Sequence, residues 1–315
     1  MEPLKVAFLG PAASFSHQAA VESFGSSAKL VPHVSFPDAF AAVQADKVDY
    51  AIIPCENSTN GSVVQTLDLL ADPSGLYSDV KVCGEHYLTV HHCLLTRKGL
   101  LSLGPQNYGS ITKLYTHPQA WGQCEDFLER TFKGIERQDV SSTSKGAEIV
   151  SKGTTERSGA IASRFAAEYH GLDVSEENIE DKANNTTRFL VLRNVNSGRT
   201  SRLSFEDVKV SSPAQGQASV TPTAQKTLIS FMIRQDCPGV LADALLIFKN
   251  QGMNLTSINS RPSQIRAWKY VFLVEGQYVP TNESQGAVSG IIDALQEVTE
   301  GCRHLGTWAD QFVSV

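Results

Sequence analysis

The hydrophobic positions of this chain change period along its length, and each change marks an element. Leu4 to Leu9 is a short apolar run ending at Gly10-Pro11, which predicts a buried strand. Helical spacing follows over 17–24, and Pro37 opens a second helix, 38–45, with Phe40 and Val43 in phase. Tyr50 to Ile53 predicts another short strand, stopped at Pro54. Gly61 to Leu70 puts Val63, Val64, Leu67 and Leu70 on one stripe and predicts a helix. Strand 113–116, helix 118–132, strand 135–140, helix 143–151, strand 159–162 and helix 164–170 come next. Strands alternating with helices imply an α/β fold with a parallel or mixed sheet.

The pattern then breaks. Residues 211–225, SSPAQGQASVTPTAQ, carry no charge and no aromatic ring, so they cannot bury enough apolar surface to offset their ordering entropy and are expected to be linker. From Thr227 the order is strand 227–234, helix 239–250, strand 254–260, strand 268–275, helix 284–298 and a last strand near 302–308. That order, βαββαβ, is the ferredoxin-like arrangement.

Length and charge narrow the function. A chain of 315 residues is long for one core, which favours two domains. The net charge of -6 argues against a nucleic-acid partner, although a pocket can still be locally positive. There is no basic, apolar leader, and no apolar run reaches the roughly 18 residues of a membrane span. The expectation is a cytoplasmic protein with no membrane partner. The six cysteines (Cys55, Cys83, Cys93, Cys124, Cys237 and Cys302) show no C-x-x-C spacing, so reduced thiols are expected rather than zinc or a redox pair. That setting also argues against glycosylation at Asn57-Ser58-Thr59 or Asn185-Thr186-Thr187. Neither G-x-G-x-x-G nor G-K-[ST] is present, and the histidines lack metal-ligand spacing. Neither nucleotide binding nor a metal site has support in these patterns.

Candidate chemistry lies in loops where a strand ends and a helix usually begins: 10–16, 54–61, 116–120, 160–163 and 184–189. Open α/β sheets bind ligands there, and helix N-termini suit carboxylates. Each loop also has a structural reading. Ser16 can cap the helix after it, and Thr116-x-x-Gln119 fits a capping box. His117 alone is more often a satisfied polar residue than a catalyst. Glu56 would repel an anionic ligand, so a structural or hydroxyl-binding role fits it better.

Taken together these loops resemble one family, the prephenate dehydratases. PCENSTNGSV resembles P-x-E-N-S-x-x-G-x-V, HPQAWGQC resembles H-P-Q-A-x-x-Q-C, IASRFAAEYHGL resembles I-A-S-x-x-A-A-x-x-Y-G-L, and NNTTRF resembles N-x-T-R-F. CPGVLADALLIFKNQGMNLTSINSRPS resembles the ACT regulatory domain of the same enzymes. The resemblance implies a periplasmic-binding-protein-like catalytic lobe of two subdomains over 1–195, a linker over 196–225 and an ACT domain over 226–315. It implies removal of water and carbon dioxide from prephenate to give phenylpyruvate, without a cofactor. It also implies feedback by L-phenylalanine bound where ACT domains pair in a homodimer or homotetramer.

Residue by residue, the resemblance assigns catalysis to Thr187. It assigns substrate binding to Ser14, Ser16, Asn57, Ser58, Gln119, Ser163, Asn185, Arg188 and Phe189, and effector binding to Gly239, Val240, Leu241, Asn254, Leu255 and Thr256. Strand periodicity adds its own constraint. If 185–189 is extended, Asn185, Thr187 and Phe189 share one face while Thr186 and Arg188 share the other. Arg188 would then reach substrate only through a bend. Three departures stand out. Ala13-Ser14 replaces the family's Gly-Thr, and Ala13 tolerates positive φ poorly, so that loop is expected to take a different path. Val240 replaces an alanine, and Asn259 replaces the glutamate of E-S-R-P. Competing readings are an arogenate dehydratase, a non-catalytic amino-acid sensor, and a bifunctional enzyme with chorismate mutase. The first strand at Leu4 leaves no room for the last.

Overall fold

The computed structural model describes residues 2–100, 108–153, 157–200, 203–210, 224–234, 238–279 and 286–312. Its first part runs β1 (Lys5–Leu9), α1 (Phe15–Phe24), β2 (Lys29–His33), α2 (Phe36–Gln44), β3 (Tyr50–Asn57), β4 (Gly61–Ser62), α3 (Val64–Ala71) and β5 (Val80–Thr89). The chain then builds a second unit from β6 (Cys93–Thr96), β7 (Lys113–Thr116), α4 (Pro118–Trp121), α5 (Glu125–Thr131), β8 (Glu136–Asp139), α6 (Thr143–Lys152), β9 (Ser158–Ala162), α7 (Arg164–His170) and β10 (Asp173–Glu176). It returns to the first unit with β11 (Thr186–Asn194) and α8 (Phe205–Val208). Last come β12 (Gln225–Ile233), α9 (Val240–Asn250), β13 (Asn254–Pro262), β14 (Tyr270–Tyr278), α10 (Ala287–Val298) and β15 (Thr299–Ala309).

Three sheets result. The first has the order β2-β1-β3-β11-β5, with β4 paired to β3; the second is β10-β6-β9-β7-β8; the third is β13-β14-β12-β15. Sheets one and two each combine parallel and antiparallel pairs. The chain crosses between them twice, through 90–92 and 177–185. The crossings are laced together: Val90 N–H donates to Asn185 O at 2.7 Å and Ile179 N–H to His92 O at 3.0 Å. Glu180 accepts from His92 N–H at 2.8 Å and meets His91 Nδ1 at 2.7 Å.

Both faces of the first sheet are buried. One packs Phe8, Tyr50, Ile52, Phe189 and Val191 against α1 and Phe205. The other joins Ala51, Ile53, Leu190 and Leu192 to Leu228, Val271, Leu273, Leu305 and Trp308 of the third sheet, so two sheets share one core. At the closest approach, a Cβ added to Gly306 would lie 2.0 Å from Val82 O, and Gly306 has φ 142°. Only glycine fits there.

Several elements differ from the sequence expectation. β3 does not stop at Pro54; it continues to Asn57. Opposite it, Arg188 pairs with Glu56 and Phe189 with Pro54, which leaves Cys55 as an extra, bulged residue. A bulge is where a strand can carry proline. Residues 61–62 pair with β3, so the helix starts at Val64. The expected helix 118–132 is broken, because Asp181 from the return crossing accepts from Glu125 and Asp126 N–H and starts a separate α5. Of the segment 196–225, Phe205–Val208 form α8, whose Phe205 is buried beside Phe24 and Tyr50; residues 201–202 and 211–223 lie outside those described. Five cysteines are free, and Cys237 also lies outside. Among the described residues no helix is long and apolar enough to cross a membrane.

Candidate active site

A cleft of about 710 Å³ lies between the first two sheets. Its walls include the starts of α1, α3 and α6, together with His117, Gln119 and Ala120, and Asn185 and Thr187 where β11 begins. No Asp, Glu, Lys or Arg side chain is among its described lining residues. Its positive character comes instead from three helix N-termini and from amide and hydroxyl donors. That suits carboxylates without placing a fixed ion pair in their way.

At its floor Asn57 and Thr187 face each other in register across β3 and β11. Asn57 Nδ2 donates to Thr187 Oγ1 at 3.0 Å and to Asn185 Oδ1 at 2.8 Å. Asn57 Oδ1 accepts from the N–H groups of Thr59 and Asn60 at 3.0 and 2.9 Å. Those two backbone donors fix which end of the amide faces Thr187. Thr187 therefore accepts from Asn57 and keeps its own proton for another partner.

Of the residues expected to bind substrate, Ser14, Ser16, Asn57, Gln119 and Asn185 line this cleft with Thr187. The N-cap of α1 is Ser14, not Ser16: its Oγ accepts from His17 N–H at 3.3 Å and donates to Leu9 O at 3.0 Å, so its proton is already engaged. Ala13 does take a positive φ despite its side chain. It adopts φ 62°, held by a 2.9 Å bond from its N–H to His17 Nδ1, and the His17 ring stacks on Phe8. Gln119 is exposed in α4, whose N-cap is His117 rather than Thr116; Thr116 is buried and donates to Ile161 O at 2.6 Å.

Four expected residues lie elsewhere. Ser163 caps α7, accepting from Ala166 N–H at 3.1 Å, and Phe189 is a core residue at 1% exposure. Ser58 and Arg188 line a second cavity of about 510 Å³, between the first and third sheets. β11 keeps its alternation, so Arg188 turns its back on the cleft. There it meets Glu85 and Glu275 at 2.7 and 2.6 Å. Burial alone would lower the Arg188 pKa, but the two carboxylates outweigh it and hold the guanidinium charged.

The cleft also contains residues that sequence reasoning missed. Ser141, Ser142 and Thr143 line it, and Ser142 caps α6. They repeat the strand–polar loop–helix design of the other loops, which is the signal that would have found them. His92 and Gln123 line it too, with His92 Nε2 2.7 Å from Gln123 Oε1 and His92 Nδ1 buried without a partner. Burial holds the His92 pKa below its ordinary value, which favours neutral imidazole. Among the described residues no group of His, Cys, Asp and Glu could hold a metal ion.

On the third sheet, Gly239 precedes α9 with φ 90°, and Val240 and Leu241 begin the helix. Asn254 and Leu255 start β13, and Thr256 is bulged out of register and donates to Glu275 Oε1 at 2.9 Å. β13 is an edge strand. Asn259 faces the first sheet, accepting from Ser62 Oγ at 3.2 Å.

Two α/β subdomains joined by paired crossings around a polar cleft, with a βαββαβ unit packed behind, define an α/β enzyme of binding-protein-like architecture. The chain belongs to the prephenate dehydratase family. The model of that family matches residues 6–197. The bifunctional chorismate mutase/prephenate dehydratase of Aquifex aeolicus is 34% identical over 306 residues, covering 97% of this chain and 73% of that one. The probable prephenate dehydratase of Saccharomyces cerevisiae is 35% identical over 308 residues, covering 86% of each. The prephenate dehydratase of Arthrobacter aurescens, solved in complex with L-Phe, is 25% identical with a TM-score of 0.77, over 99% of this chain and 92% of that one.

Proposed function

We propose that this chain is a carbon–oxygen lyase that converts prephenate to phenylpyruvate, water and carbon dioxide in L-phenylalanine biosynthesis. The ring carboxylate leaves as carbon dioxide, and the electron pair of its broken C–C bond moves into the ring. The hydroxyl para to it leaves and takes up a proton to become water. The ring becomes aromatic, which drives the reaction. The observation that carries this reading is the Asn57–Thr187 contact, which leaves the Thr187 proton available to the departing oxygen. A threonine hydroxyl is too weak an acid to ionise, so Thr187 donates a hydrogen bond or relays a proton. The substrate carboxylates sit against the N-termini of α1, α3 and α6, with Ser16, Gln119 and Asn185 beside them.

The same reading makes residues 1–195 catalytic and residues 226–315 an ACT domain that binds L-phenylalanine, with Gly239, Val240, Leu241, Asn254, Leu255 and Thr256 contributing. The L-Phe complex of the Arthrobacter relative supports it. An edge strand such as β13 can pair with a second copy, which supports a homodimer or homotetramer. A cytoplasmic location belongs to the same reading.

Carbon dioxide release tests the proposal, measured with prephenate and with arogenate, with and without phenylalanine; phenylpyruvate is the expected second product from prephenate. Prephenate turnover lost in Thr187→Ala and retained in part in Thr187→Ser is expected. Undiminished kcat in Thr187→Ala would refute the assignment. Turnover of arogenate alone would identify the enzyme as an arogenate dehydratase.

A further inference from the structure

Thr187 and Arg188 are consecutive residues on opposite faces of β11, and the third sheet reaches the second of them. Arg188 Nε donates to Glu85 Oε2 at 2.8 Å, and Nη2 donates to Glu275 Oε2 at 2.6 Å. Glu85 is on β5 of the same sheet; Glu275 is on β14 of the third. The side chains are 9%, 0% and 7% exposed for Arg188, Glu85 and Glu275. The other Glu275 oxygen accepts from Thr256 Oγ1 at 2.9 Å, and the other Glu85 oxygen from Lys226 Nζ at 3.0 Å. Lys226 also meets Asp310 at 2.9 Å. The result is a buried chain of alternating charge: Asp310, Lys226, Glu85, Arg188, Glu275.

This clamp sits beside a β-bulge in the first sheet. The bulge at Cys55 lies between the residues paired with Arg188 and Phe189. Bulges change local twist, so at Thr187 β11 has a regular ladder on its β5 side only, and the β3 side that carries Asn57 is the irregular one. A guanidinium held between two carboxylates fixes the rotation of β11 there from behind, because turning the strand would drag a buried charge off its partners. The third sheet also holds the other half of the pair. Asn259 accepts from Ser62, which is on β4, and Asn57 is across the β3–β4 hairpin in register with Gly61.

We propose that Glu275 is a positioning residue for catalysis, aiming the Thr187 hydroxyl through Arg188. The proposal rests on the dehydratase reading above. It makes the C-terminal domain part of the machinery that holds the cleft in working geometry, with no effector required.

The test compares Glu275→Ala, Glu275→Gln and Arg261→Ala in the full chain. Arg261 forms a separate ion pair with Asp68 between the same two parts, at 2.5 Å and away from Thr187. Glu275→Ala is expected to lower kcat about 10- to 100-fold, as sub-ångström misaiming does, with KM changed less than about twofold. Glu275→Gln keeps an acceptor for Arg188 and a partner for Thr256, so it should recover part of kcat. Arg261→Ala should keep wild-type kcat even where Tm falls. A crystal structure of Glu275→Ala, which does not depend on turnover, should show the Asn57–Thr187 contact lengthened or broken. Wild-type kcat in Glu275→Ala, an equal loss in Arg261→Ala, or an unmoved contact would overturn the proposal. Failure of the wild type to consume prephenate would instead strike the functional reading, and the crystallographic arm would still decide this one.

Discussion

The amide nitrogen of Asn57 lies 3.0 Å from the hydroxyl oxygen of Thr187, and the amide cannot turn over without losing two backbone partners. Asn57→Asp has the same shape with the opposite polarity. Its carboxylate would accept the Thr187 proton and draw it away from the cleft. Loss of one positioned donor costs about 100-fold or more in rate, so kcat should fall by that order, and KM should rise because the new charge faces a dianion. Steady-state kinetics on prephenate check both; kcat within about threefold of wild type would contradict the stated geometry.

Phe189 belongs to the core, not to the cleft. Phe189→Ala should cost about 3–5 kcal/mol of stability. Phe189→Leu should cost less and leave KM for prephenate unchanged. Denaturant unfolding and a KM measurement separate the two roles, and a raised KM in Phe189→Leu would return the residue to the binding site.

Gly306 is where β15 meets the backbone of β5. Gly306→Ala sets a methyl group 2.0 Å from Val82 O at a φ of 142°. Backbone strain and overpacking of this kind cost about 3 kcal/mol together. Calorimetry should show a Tm lower by several degrees, and an unchanged Tm would mean the two sheets separate freely there.

Burial holds His17, His92 and His117 below their ordinary pKa, with Glu180 opposing the shift at His92 and Asp139 at His117. The unfolded chain titrates them near pH 6.5. As the pH falls through that value toward the lower folded ones, the unfolded state binds more protons and stability is lost. Urea unfolding at pH 7 and pH 5.5 should show the drop, and His92→Gln should make it shallower. A slope identical to wild type would mean that His92 does not titrate in this range.

Local chemistry made much of this legible in the sequence. The alternation of Asn185, Thr187 and Phe189 against Thr186 and Arg188 needs only a strand, and it put Arg188 on the far face. The polar loops after β1, β3 and β7 follow from Gly, Pro and small hydroxyl residues at strand ends. What stayed hidden depends on distant chain. The partners of Arg188 are 103 and 87 residues away. Pro54 looked like a stop because a bulge is visible only once β11 is alongside. β5 escaped notice because Gly84 and Glu85 interrupt its apolar pattern; Glu85 is buried only because Arg188 and Lys226 come to meet it. Ser163 and Phe189 show the opposite error, since a residue inside a family motif can be there to cap a helix or fill a core.

The laced crossings carry one more consequence. Asn185 takes the Val90 N–H with its carbonyl and the Asn57 amide with its side chain. One residue at the joint between the two subdomains thus also holds the amide that meets Thr187. A substitution at Asn185 would therefore disturb the joint between the subdomains and the setting of the Thr187 hydroxyl together.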